Sequence, residues 1–278
     1  MPQSLACLLV VLAAFLPGCH SRTTQTHAPG SELLRQRDTF RTRALQSINP
    51  LPSMESIEQR TVQGGIGLVT LQVYNPGGQD LPVVLLIPSI DFTAGDIVTH
   101  DHVARSLAAE TPALVFLPSL PLEPENTRRE VINASFDILS WMHGRVTRWG
   151  GNPDCILLVG EGAGAALATK LAQRDRDGEK QLSGLVLLTP SFGEEGLPIA
   201  HSLRDLPATY VLLGEDDPLG HEGELLVDAM KSMDMSVSVR RQAGIGALRM
   251  DWALAAPDLL QIILEVAATI RKSCSPRE

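Results

Sequence analysis

Between residues 67 and 271 the chain switches repeatedly between two hydrophobic patterns: short apolar runs, and longer stretches with apolar positions at helical spacing. Residues 68–74 (LVTLQVY) alternate apolar and polar positions and stop at Asn75-Pro76-Gly77-Gly78, a turn signal. Residues 83–87 (VVLLI) form a continuous apolar run, the pattern of a strand buried on both faces. Further strands are expected at 113–117, 155–159, 184–188, 208–213 and 236–240. Helices are expected near 97–109, from a cap at Asn126 or Thr127 towards Trp149, at 163–174, at 223–233 and at 252–271. Such alternation predicts one α/β domain, a mostly parallel sheet with helices on both faces. Reactive groups then gather where the strands end, at 88–91, 118–119, 160–162, 189–191, 214–217 and 244–247.

The N-terminal region has a different pattern. Residues 5–16 (LACLLVVLAAFL) are an apolar run of signal-peptide length, too short to span a bilayer, ending in Leu16-Pro17-Gly18-Cys19. This resembles the lipobox of bacterial lipoproteins, and the resemblance implies lipidation of Cys19, a membrane attachment and an outer-membrane position facing the periplasm. The pattern lacks a Lys or Arg before the apolar run, and Pro17 is unusual there. The resulting divisions are a signal at 1–18, a polar tether at 19–30, an amphipathic segment at 31–60 and the α/β domain at 61–278. In the amphipathic segment Leu33, Leu34, Phe40, Ala44 and Leu45 lie among Arg35, Arg37, Arg41 and Arg43, and the basic face reads as solvated rather than lipid-bound.

Composition narrows the partners. The formal net charge is -9, which argues against nucleic acid. Aromatic residues make up 4%, so the core must be aliphatic. Of the four cysteines, Cys7 would leave with the signal and Cys19 would carry lipid. Cys155 reads as a buried small hydrophobe and Cys274 as part of a polar tail, and a core strand rarely meets a chain terminus, so no bridge between them is expected. His100, His102, His201 and His221 show no metal-ligand spacing and read as surface histidines. No metal or cofactor is expected.

The most informative motif is Val159-Gly160-Glu161-Gly162-Ala163-Gly164, between an apolar strand and a helix. It resembles the strand–turn–helix elbow of the α/β-hydrolase superfamily, G-x-S-x-G, with Gly162 at the nucleophile position. The order of the later motifs is similar to the dienelactone-hydrolase-like branch. That resemblance puts the catalytic acid at Asp217, in Gly214-Glu215-Asp216-Asp217, and the histidine position at Ala247, after Gly244-Ile245-Gly246. It implies an α/β-hydrolase fold and a degenerate triad of Gly162, Asp217 and Ala247, and the short stretch between Leu188 and Ala208 leaves no large lid. Gly160, Glu161 and Gly164 are the remnants of the elbow, and Ser89, Ile90 and Ala163 line a possible pocket. Ser89 either binds a ligand or caps a turn. Glu161 reads as a solvent-facing or a helix-dipole carboxylate, with a general-base role as the other reading.

An elbow without a hydroxyl and a base position without an imidazole point to a non-catalytic pseudohydrolase that binds a small ligand or an envelope protein. Residual hydrolysis of carboxylic esters or related acyl compounds is the alternative. A dinucleotide site is a lesser one, because Gly160 to Ala165 also satisfies G-x-G-x-x-A; no acidic residue closes the following strand as that motif requires.

Overall fold

The computed structural model describes residues 28–47, 51–88, 91–178, 182–193, 196, 200–243 and 259–274. Eight strands form one sheet: β1 (Ser56–Gly64), β2 (Gly67–Asn75), β3 (Leu81–Ile87), β4 (Leu114–Pro118), β5 (Gly151–Glu161), β6 (Gly184–Leu188), β7 (Thr209–Gly214) and β8 (Val237–Gln242). Their order is β1-β2-β4-β3-β5-β6-β7-β8. β1 and β2 form an antiparallel hairpin, and β2 also runs antiparallel to β4. The strands from β4 across to β8 are parallel, with β5 near the centre.

The helices are α1 (Ser31–Ser47), α2 (Ile97–Glu110), α3 (Arg128–His143), α4 (Ala163–Asp177), α5 (Gly220–Lys231) and α6 (Leu259–Cys274). Alternation along the strands divides the core into two layers. On β5, Ile156 and Leu158 pack with α3 and α4 residues such as Ile138 and Leu167. Cys155, Leu157 and Val159 pack on the other face with Val103, Leu107, Ile263 and Val266. The continuous apolar runs of β3, β4, β6 and β7 therefore have both faces covered, as expected from their composition. Thr127 is the residue that caps α3: it accepts the Glu130 N–H while the Glu130 carboxylate accepts the Thr127 N–H, a reciprocal capping box.

In the fold, the structure departs from the sequence reading at β1 and at a pair of cysteines, and the helix expected to reach towards Trp149 ends at His143. β1 was not expected: it is an edge strand with only Val62 buried, so it shows no apolar period. Cys155 and Cys274 are bridged by a disulfide across a Cα–Cα distance of 5.3 Å, contrary to expectation. The reason is topological. α6 returns across the face of β5, with Ile262, Ile263, Val266 and Ile270 buried, and this brings the end of the helix to the start of the strand.

Candidate functional site

The strand ends meet at one edge. β5, β6 and β7 are adjacent and in register, Glu161 opposite Leu188 and Leu188 opposite Leu212. Gly162 and the turn after β7 are therefore two strand spacings apart, about 10 Å. The segment after β6 bridges them. Gly162 N–H donates to Leu188 O at 2.9 Å, and Ser191 N–H donates to Gly162 O at 3.1 Å. The N–H groups of Phe192 and Gly193 point to the Glu222 carboxylate on α5. Pro190 packs at Gly223 of the same helix. Asp217 closes the turn before α5, its carboxylate accepting the Leu219 N–H at 3.0 Å.

Gly162 has φ 56° and ψ -121°, a conformation costly for any residue with a side chain. The flanking glycine is explained by contact: a Cβ on Gly160 would strike the backbone of Gly164 and lie 2.7 Å from the Ala165 Cα. α4 starts at Ala163, which is buried, and Ala165 N–H closes the first turn on Gly162 O. Thr189 also holds a positive φ, 44°, and it is buried. Its hydroxyl has no hydrogen-bond partner among the described residues. Ser89, Ile90 and Ala247 lie outside the described residues, as do Cys19 and the signal region.

Two readings of polar residues are corrected here. Glu161 does not face solvent: it is 5% exposed, and its carboxylate lies 3.1 Å from His100 Nε2. His100 and His102 are not surface histidines, being 1% and 3% exposed. Strand alternation explains Glu161, which shares its face of β5 with Cys155, Leu157 and Val159. Helical spacing explains His100, three, four and seven residues before Val103, Ala104 and Leu107 on the covered face of α2. The signal was present in both patterns.

α1 lies beside the loop that follows β3. Arg37 donates to the carbonyls of Thr93 and Glu123 and pairs with Glu125. Arg41 pairs with Asp96, the N-cap of α2. These two arginines of the basic face are thus engaged by the domain. Burial pushes the Asp96 carboxyl up, but the Thr99 N–H and the Arg41 guanidinium outweigh it and hold it below the usual carboxylate range. Bonds from Arg37 hold Glu125 below its usual range as well. Leu33, Gln36, Phe40, Thr93 and Ala94 line a groove of about 290 Å³ between α1 and this loop. Among the described residues, no three His, Cys, Asp or Glu side chains are grouped so as to hold a metal ion.

Comparison with known proteins agrees with this geometry. Residues 91–202 match a family model described as alpha/beta hydrolase fold. The chain is 26% identical over 280 residues to a carboxylesterase of Mycobacterium tuberculosis, covering 84% of this chain and 86% of that one. An esterase of the same organism is 27% identical, over 64% of this chain and 56% of that one. A solved thermostable carboxylesterase cloned from a metagenomic library superposes with a TM-score of 0.77 at 26% identity, over 90% of this chain and 99% of that one. A solved thermostable esterase of Pseudomonas putida gives 0.80 at 17% identity, over 88% and 91%.

These relatives overturn the expectation of a non-catalytic pseudohydrolase, because the proteins most of the chain resembles are esterases. The dinucleotide reading falls with it: the glycines serve the elbow, and the sheet carries an antiparallel β1–β2 pair ahead of the parallel strands. Sheet order, elbow geometry and relatives converge: this chain has the α/β-hydrolase fold and is similar to carboxylesterases.

Proposed function

We propose that the chain hydrolyses carboxylic esters at the edge formed by β5, β6 and β7. The carrying observation is the elbow backbone, held at φ 56° and ψ -121° in a chain similar to carboxylesterases. Gly162 has no hydroxyl, so no acyl-enzyme forms at this position. Water instead adds to the ester carbonyl carbon. Its proton passes to Asp217, the carboxylate after β7, and the alcohol leaves with a proton returned from the same group. The N–H groups of Ala163 and Gly164, which precede the first bonded N–H of α4 at Ala165, suit the negative charge that develops on the carbonyl oxygen. The groove beside α1, with Leu33, Phe40 and Ala94, accepts the apolar part of the substrate.

The test is turnover of p-nitrophenyl acetate and butyrate by the wild-type chain and Asp217→Asn, with a fluorophosphonate probe in parallel. Turnover above the buffer rate, a loss of about 10²-fold or more in the variant and no labelling at the elbow are expected. A folded wild-type chain without turnover refutes the proposal.

We also propose export to the bacterial envelope with a lipid on Cys19. The Cys155–Cys274 bridge supports an oxidising compartment. Cys19→Ala is expected to release the protein from membranes or block its processing; unchanged fractionation and mass would count against the anchor.

A further inference from the structure

A continuous string of polar contacts runs from α1 to the elbow. The Arg41 guanidinium donates to Asp96 Oδ2 at 2.7 Å through Nε, and its terminal nitrogen lies 2.6 Å from the same oxygen. Asp96 Oδ1 accepts the N–H groups of Val98 and Thr99, each at 2.9 Å. The Asp96 N–H donates to Thr99 Oγ1 at 2.8 Å. Thr99 Oγ1 lies 2.8 Å from His100 Nδ1, and His100 Nε2 lies 3.1 Å from Glu161 Oε2. Thr99 Oγ1 also lies 3.0 Å from the Asp96 carbonyl oxygen, so its single proton is shared between that oxygen and Nδ1, while the carboxylate beside Nε2 accepts a hydrogen carried there. Thr99, His100 and Glu161 are all buried. Among the described residues, His100 is the only group bonded to the Glu161 carboxylate.

We infer that His100 is a positioning residue, through which the seating of α1 fixes the backbone of the elbow. Each contact constrains the next. Arg41 holds the Asp96 carboxylate, and Asp96 holds the Thr99 hydroxyl at the start of α2. Thr99 sets the tilt of the imidazole. The imidazole then fixes Glu161, whose peptide leads directly into Gly162. Lifting α1 removes the outermost contact and frees the others in turn. The inference rests on the elbow being the reaction site, yet it is testable without turnover.

The experiment is amide hydrogen exchange, read by mass, on the full chain with Arg41→Ala and Arg41→Lys. Arg41 is half-exposed, so both variants should fold. In Arg41→Ala, exchange across 158–166 should rise at least about threefold, as energetic coupling between linked sites allows. Arg41→Lys should restore most of the protection, and 209–231 should not change. A rise confined to α1, or an equal rise in every peptide, overturns the inference. A chain that shows the coupling and no ester turnover would sink the proposed function and leave standing only the coupling of α1 to the elbow backbone.

Discussion

His100→Leu should be among the most damaging single changes to this fold. The ring and the Glu161 carboxylate are 1% and 5% exposed. Leucine fills much of the ring's space but leaves a buried carboxylate with no donor among the described residues. Removing one partner of a buried pair costs about 3–5 kcal/mol. For a chain of this size that corresponds to a fall in melting temperature of roughly 10 °C. Replacing both partners by apolar residues of similar volume is often close to neutral. His100→Leu/Glu161→Leu should therefore recover most of the loss. Urea unfolding of the wild type, both single variants and the double variant provides the cycle. A cost below about 1 kcal/mol for His100→Leu, or a double variant that merely sums the singles, would refute the argument.

Three further outcomes are expected. Gly162→Val forces a β-branched side chain into φ 56°, ψ -121° and should lower stability by about 1–3 kcal/mol; an unchanged urea midpoint would contradict the elbow geometry. Cys274→Ser opens a loop of 119 residues and should cost about 3–5 kcal/mol, with a matching drop when the wild type melts in reductant. Asp96 and Glu125, which hold α1, have carboxyls depressed below the ordinary range, so their contribution is complete above the unfolded value of about 4 and is lost as pH falls through the folded values. Limited proteolysis should accordingly find α1 anchored at pH 6 and released in stronger acid, and cleavage of α1 that does not change with pH would show that these pairs do not hold it.

The parts of the fold that were legible are those in which both faces of an element are covered. β3, β4, β6 and β7 announce themselves because both faces are covered and nearly every position is apolar. The cap of α3 was legible only as Asn126 or Thr127, and the glutamate three residues after Thr127 is the local signal that selects the second. β1 was not, because an edge strand with one buried residue has no period to detect. The His100–Glu161 pair was misread for another reason. The spacing between histidines tests only for metal ligation, whereas burial follows from the face of the element. On that face His100 aligns with Val103 and Leu107, and Glu161 with Leu157 and Val159. The disulfide depends on how α6 crosses the sheet, which no local pattern encodes. The elbow was legible in its glycines, but the expectation of inactivity drawn from it was not sustained by its relatives.

The two outermost strands have a consequence for how the protein behaves at high concentration. β1 and β8 end the sheet, and neither has an outer neighbour among the described residues. A second molecule adding a strand to β1 would meet Gln59, Arg60 and Gln63, all exposed. At β8 it would meet Arg240 and Arg241, already tied to Glu265 and Glu224. Long charged side chains on a sheet edge must be desolvated or displaced before backbone groups can pair with a newcomer. Each edge thus carries its own barrier to strand-by-strand self-association, and the open sheet can stay discrete when molecules are crowded together.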